Sequence, residues 1–368
     1  MDRKKTVATI TYHRSDNFGS VLQAYALGEA LRKLGYDQYI IDYRKPEVAK
    51  LYRIMKPLDS PYNVATDCYH LLHYGALKRR KKRYEQFRQK WLRLSPAYES
   101  KEALMAAPPA ADAYVVGSDQ VWHTGIVDFD DSYLLDFVKE GKKIAYAASG
   151  IKQNTSEESV AHLRRLTADF DEIAVRENVA RQRLGDRASV RIDPVLLLEK
   201  EDWTRLCAAP QRKKPYMFCY FAGMVSQEFE QFTRKKAEEL GLERVLLMPQ
   251  WRNLFRPGVN CYDAGPEEFV SLLAGASLVC TDSFHGTAFS VLLNRPFIVG
   301  QAEPFTDDRI ATFLGAVGLT EREIDPADPV VPELLQVDFT SANQALQELR
   351  RRDGQWLQET IEADIQGN

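Results

Sequence analysis

TVATITYHRSDNFGSVLQAYALGEALRKLGYDQYIID, residues 6–42, decides the fold class. An apolar, β-branched run, Thr6–Tyr12, leads into a polar loop, Arg14–Gly19. Leu27, Ala30, Leu31 and Leu34 then recur at spacings of three and four, the signature of a helix with one buried face. Gly35 ends that helix, and a second apolar run, Gln38–Asp42, follows at once. Strand, helix and strand within about 35 residues form a βαβ unit, whose two strands must lie parallel.

The alternation continues outward. Ala113–Gly117, Lys143–Ala148, Glu172–Val175 and Ser189–Ile192 read as strands, with a helix over Ser156–Phe170. Tyr216–Phe221, Arg244–Leu247, Ser277–Thr281 and Phe297–Val299 repeat the pattern. Helices are predicted over Glu228–Leu240, Pro266–Ala274, Gly286–Leu293 and Asp307–Leu314. Repeated βα alternation predicts an α/β protein of mostly parallel sheets with helices on both faces. The charged segment Leu198–Lys214 reads as a linker. The domains expected are therefore 1–200 and 201–335, followed by a helical tail, 336–368.

A length of 368 residues also favours two domains. Hydrophobic residues make up 45% and charged residues 27%, an ordinary globular balance that argues against a disordered or fibrous chain. The net charge of −3 lacks the basic excess of a nucleic-acid binder. Five scattered cysteines with no C-x-x-C pair predict neither disulfides nor a zinc site, and no other metal site is expected. No apolar run is long enough for a signal peptide or a membrane span. A cytoplasmic protein is expected.

One segment departs from the average. Lys78–Arg93, KRRKKRYEQFRQKWLR, carries nine basic residues and one Glu. With −3 in total and +8 here, the rest of the chain carries −11. Tyr84, Phe87 and Trp91 share one helix face. Two readings fit: a patch for anionic lipid headgroups or an anionic substrate, giving a peripheral contact at the inner face of the membrane, or a solvated helix whose aromatic face packs on the core.

Ligands of doubly wound sheets bind beyond the carboxyl ends of the strands, so the polar loops there are the candidate sites. The first loop holds Arg14, Asn17 and Gly19, with Ser20 placed to cap the helix and backbone N–H groups available to an anion. The second is Gly117-Ser118-Asp119-Gln120. Asp119 and Gln120 are placed there to orient a sugar hydroxyl, to support a catalytic group, or to close the strand in an Asx turn. The third is Asp282-Ser283-Phe284-His285-Gly286-Thr287. His285 at a strand-to-helix turn suits general acid–base work, and the amides of Gly286 and Thr287, with Ser283 beside them, suit a phosphate or carboxylate. Arg176, between strand and helix, is placed to meet an anion or to pair with Glu177 or another carboxylate. Asp193 reads as a cap, and Arg309 as a further cation.

Taken in order, TYHRSDNFGSVLQAYAL (11–27), KRRKKRYEQF (78–87), LRLS (92–95), VVGSDQVW (115–122), AVREN (174–178), IDPVLLL (192–198) and DSFHGTAFSVLLNRPF (282–297) make the chain resemble the polysaccharide pyruvyl transferase family. The resemblance implies a GT-B-like fold, two Rossmann-like domains facing a cleft. It implies transfer of a pyruvyl group from phosphoenolpyruvate, the co-substrate, to two hydroxyls of a sugar or lipid-linked oligosaccharide acceptor, with no further cofactor. His285 would be the catalytic histidine and Arg176 would meet the donor anion. Some members carry arginine two positions before that histidine. Ser283 stands there in this chain, so the second donor cation is expected elsewhere, at Arg309 or Arg14. A nucleotide-sugar glycosyltransferase on the same scaffold and a non-catalytic carbohydrate-binding protein are the alternatives.

Overall fold

The computed structural model describes residues 3–56, 60–207, 212–222, 225–250, 253, 258–300, 308–327 and 331–363. Asp307 of an expected helix, residues 208–211 of the expected linker and residues 364–368 of the expected tail lie outside them.

Among the described residues thirteen strands build two sheets. The first contains β1 (Thr6–Ile10), β2 (Asp37–Tyr43), β3 (Leu94–Tyr98), β4 (Ala113–Val116), β5 (Lys142–Ala148), β6 (Glu172–Val175) and β7 (Ala188–Val190) in the order β3-β2-β1-β4-β5-β6-β7. The second contains β8 (Tyr216–Tyr220), β9 (Glu243–Leu246), β10 (Val259–Asn260), β11 (Leu278–Thr281), β12 (Phe297–Gly300) and β13 (Glu323–Ile324) in the order β10-β9-β8-β11-β12-β13. Every pairing is parallel. The ten strands read from the sequence are all present. Three are additional: β3, which contains Pro96 and sits at an edge where a missing N–H is tolerated, and the two-residue edge strands β10 and β13.

In each sheet the strand order reverses once, between β1 and β4 and between β8 and β11. Registers pair Ile10 with Val116 and Tyr220 with Thr281, so at each reversal two loops leave side by side. These switch points are where doubly wound sheets hold ligands.

The halves share one continuous apolar core. Phe18 and Tyr25 of the first helix, Phe18–Lys33, meet Trp203, Phe269 and Phe289. Phe18 stacks on Phe269 with ring centroids 4.8 Å apart, and Trp203 meets Phe289 edge-on at 4.7 Å. The segment read as a linker therefore contains a short helix, Lys200–Thr204, whose Trp203 is fully buried between the halves.

The basic segment is a helix over Tyr74–Trp91, longer at its start than predicted. Tyr84 and Phe87 are buried, as the core-packing reading required. Its cations clamp the second half. Arg83 donates to the Asp263 carbonyl at 2.8 Å and pairs with Glu268 at 3.2 Å. Lys90 and Trp91 both reach Glu267, at 2.9 and 2.8 Å. Arg80 lies buried over the Phe18 ring, 4.6 Å from its centroid.

The tail helix, Thr340–Glu362, returns to the first sheet. Leu357 and Ile361 pack with Leu27, Leu31 and Tyr146. Lys142 Nζ donates to the Thr360 carbonyl at 2.8 Å, and the buried Asp353 accepts the Ile192 N–H at 2.7 Å. Among the described residues no helix is long and apolar enough to cross a membrane. Asp353→Ala strands the buried Ile192 amide, so it is expected to cost about 1–3 kcal/mol. Urea unfolding measures this, and a change inside the ±0.5 kcal/mol spread of about neutral surface substitutions would contradict the assignment.

Candidate active site

The two switch points face each other, and a glycine sets how closely. His285 is the second residue of the helix Phe284–Leu292, which follows β11. Gly19 lies in the first turn of the helix after β1. A Cβ on Gly19 would sit 2.0 Å from His285 Nδ1, so the imidazole occupies the space a side chain would need. Gly286 serves the same turn from the other side, because a Cβ there would lie 2.4 Å from Thr281 Oγ1.

Around His285 the polar groups come from both halves. Its Nε2 faces Asp193 Oδ2 at 3.5 Å, within ion-pair range but without a hydrogen bond. Arg176 Nη1 donates to the same carboxylate oxygen. Ser118 Oγ is 3.3 Å from it, and Asp193 Oδ1 accepts the Val195 N–H at 3.0 Å. Asp193 has no exposed surface. Burial opposes its charge, but His285 and Arg176 outweigh burial and hold the carboxyl below the usual carboxylate range. Its contribution to stability is therefore full above the ordinary aspartate value of about 3.9 and is lost as pH falls through the depressed folded value.

Arg176 is 3% exposed, and its guanidinium lies 4.6 Å over the Phe284 ring. Nε and Nη2 have no hydrogen-bond partner among the described residues. Of the pairings weighed for it, the one with another carboxylate forms, through Asp193, and the one with Glu177 does not. Glu177 instead accepts from the Ser149 hydroxyl and from Gly150 N at 3.2 Å. A cavity of about 380 Å³ opens beside Arg176, Asp193 and Phe284, with Arg191, Arg352 and Thr312 on its wall.

Asp119 sits one residue beyond Ser118 in the left-handed region, φ 72°. This is a conformation that Asp tolerates better than most residues. Its Oδ1 accepts the Gln120 N–H at 2.8 Å, while buried Oδ2 has no partner among the described residues. With the Gln120 amide assigned so that its oxygen faces the guanidinium, it accepts from Arg309 Nη1 at 2.8 Å and Nη2 at 3.1 Å, joining the halves. A neighbour the sequence reading missed is Asp128. Burial raises its carboxyl, Lys45 opposes the rise, and the Asp119 charge adds to it. Burial also raises the Tyr12 phenol, helped by Tyr133, Asp128 and Asp119.

Three expectations are corrected. Asn17, not Ser20, caps the first helix, accepting from Gly19 N at 2.9 Å and Ser20 N at 3.3 Å, so the Gly19 amide is already bonded. Thr287 has no free amide, because its N–H and its hydroxyl both go to the Ser283 carbonyl at 3.0 Å. The open donors of that helix are those of its first three residues, Gly286 included. Arg14 does not line the cavity beside Arg176. Asp42 holds it through bonds of 2.7 and 2.5 Å, and Glu85 flanks it at 3.5 Å. It lines a different cavity, of about 500 Å³, with Lys45, Lys50, Arg53, Tyr12 and Tyr52.

The polysaccharide pyruvyl transferase family model matches residues 17–299. The chain belongs to the polysaccharide pyruvyl transferase family. That match runs from the Asn17 cap through His285 and places the protein in polysaccharide biosynthesis. No curated protein matches the sequence. Among solved structures, a UDP-N-acetylglucosamine 2-epimerase is 14% identical with a TM-score of 0.53, covering 100% of this chain and 99% of its own. The Anabaena protein Alr3699/HepE, solved with UDP and glucose, is 10% identical with a TM-score of 0.52, covering 97% and 99%. At such identities the likeness shows the fold alone, and the fold is of the GT-B type, as the family resemblance implied.

The Gly19–His285 contact is directly testable. In an ordinary helix Gly→Ala stabilises by about 1 kcal/mol. Here Gly19→Ala is expected to destabilise, and to become neutral or stabilising once His285→Ala removes the ring. A double-mutant cycle of unfolding free energies reads the coupling, and additive effects would contradict the contact.

Proposed function

We propose that the protein transfers the pyruvyl group of phosphoenolpyruvate to two hydroxyls of a saccharide, forming a cyclic ketal and releasing phosphate. The observation that carries this reading is the buried Arg176, with Nε and Nη2 open to an anion and Nη1 on Asp193, the carboxylate that His285 also faces. Family membership supports it.

The donor's anionic ends meet Arg176 and the open amides at the start of the His285 helix, where backbone dipoles favour negative charge. Arg309, joined to Gln120 across the cleft, takes the second cationic role, and Arg14, committed to Asp42, does not. His285 adds a proton to C3 of the enol, and positive charge develops at C2. Asp193 supplies the fixed negative charge against which the ring holds that proton. The first sugar hydroxyl attacks C2, the C2–O bond to phosphate breaks, and the second hydroxyl closes the ring. Two hydroxyl protons are lost. One replaces the proton given to C3, and the other leaves with phosphate. Asp119, with Asp128 nearby, takes each in turn from the hydroxyl and passes it on to His285 or to the phosphate.

Phosphate release from phosphoenolpyruvate in the presence of a glycan acceptor tests the reading. His285→Ala is expected to lower turnover by about 10²–10⁴-fold with the fold retained. Arg176→Gln is expected to raise the KM for phosphoenolpyruvate. Thermal unfolding provides the contrast, since a ligand of the folded state raises the midpoint. Stabilisation by nucleotide sugars and none by phosphoenolpyruvate would overturn the proposal.

A further inference from the structure

Nine large hydrophobic side chains are exposed among the described residues, and six of them lie between Leu51 and Tyr74. They centre on the helix Pro61–Leu72. Val64, Cys68, Leu71 and Leu72 are all exposed, at positions i, i+4, i+7 and i+8 of one helix face, and Leu71 and Leu72 reach 60% and 73% exposure. The inward side carries polar groups. Asp67 accepts the Lys56 N–H at 2.9 Å, and the Tyr69 hydroxyl bonds that of Tyr262 at 2.8 Å. A helix on a water-facing surface normally turns its apolar stripe inward. This helix is inverted.

Next to it stands the basic helix, whose charge divides into two sets. Arg79, Arg83, Arg88 and Lys90 are paired with carboxylates. Lys78, Lys81 and Lys82, together with Lys50 and Arg53, are exposed and have no carboxylate partner among the described residues. An outward apolar stripe flanked by unpaired cations is the two-part signature of interfacial binding to an anionic lipid surface.

We propose that the face made by the helix Pro61–Leu72 and the free cations of the basic helix docks on an anionic phospholipid bilayer, with Leu71 and Leu72 entering the interface. Charge selects this occupant over a second copy of the chain. A two-fold dimer through this face would set the five cations of each copy against one another, and none of them is ion-paired among the described residues. The inference does not depend on the reaction. Lys50, Arg53 and Lys81 also line the 500 Å³ cavity, so the docked face and that cavity's mouth share one side of the molecule.

Co-sedimentation of the full chain with vesicles tests this. Vesicles of phosphatidylcholine with about one quarter phosphatidylglycerol are expected to bind at least about tenfold more protein than pure phosphatidylcholine at about 0.15 M salt. Leu71→Asp/Leu72→Asp is expected to reduce binding about tenfold. Lys78→Glu/Lys81→Glu/Lys82→Glu should reduce it and remove its salt dependence. Circular dichroism and thermal unfolding should not change, and Leu72→Asp alone is the milder variant if the pair disturbs folding. Equal binding to both vesicle types, or none, would overturn the proposal. So would a Leu71→Asp/Leu72→Asp protein that changes from dimer to monomer by light scattering while its vesicle binding stays the same.

Discussion

The site depends on one buried carboxylate. Asp193 has no access to water, and an isolated charge in such a place is too costly to persist. It persists because Arg176 and Ser118 approach from the first sheet and His285 from the second. Each partner compensates for the others' desolvation, so the group behaves as a unit: removing one member leaves a buried charge uncompensated. The close approach of His285 to Gly19 follows from the same arrangement. The imidazole is held between a helix without a side chain and an ionised aspartate, which leaves its orientation little freedom.

The placement of the site was legible because parallel sheets put their loops where ligands bind, and the loops at His13–Gly19, Gly117–Gln120 and Asp282–His285 stood out as polar breaks in apolar runs. What was not legible depended on long-range contact. Asp193 was read as a cap, and it does cap Val195, but its second oxygen faces residues 17 and 92 positions away. Asn17 displaced Ser20 as the cap because its side chain reaches both Gly19 and Ser20 amides from outside the helix. Asp128 lies in a loop with no periodic signal, and only its burial beside Asp119 marks it. The edge strands β10 and β13 are two residues long, too short for alternation to register.

Charge shows the limit of composition from the other side. A +8 segment inside a chain of net −3 reads as a single patch, yet its residues have separate fates. Arg80 sits over an aromatic ring in the core, Arg83 and Lys90 hold the opposite domain, and Lys78, Lys81 and Lys82 remain in water. The −11 of the rest supplies part of the match, through Asp263, Glu267 and Glu268. Opposite charges therefore help fasten the two domains as well as face solvent.

The tail helix has a consequence for how the chain comes to be folded. Leu357, Ile361 and Asp353 complete the core and the hydrogen bonding of the first domain, yet they are made after the entire second domain. Synthesis runs from the N-terminus, and domains ordinarily fold in the order they emerge. Here the first domain must wait, with the surface around Leu27, Leu31 and Tyr146 uncovered, until the helix Thr340–Glu362 leaves the ribosome. The two domains are thus not successive folding units: the earlier one is closed last.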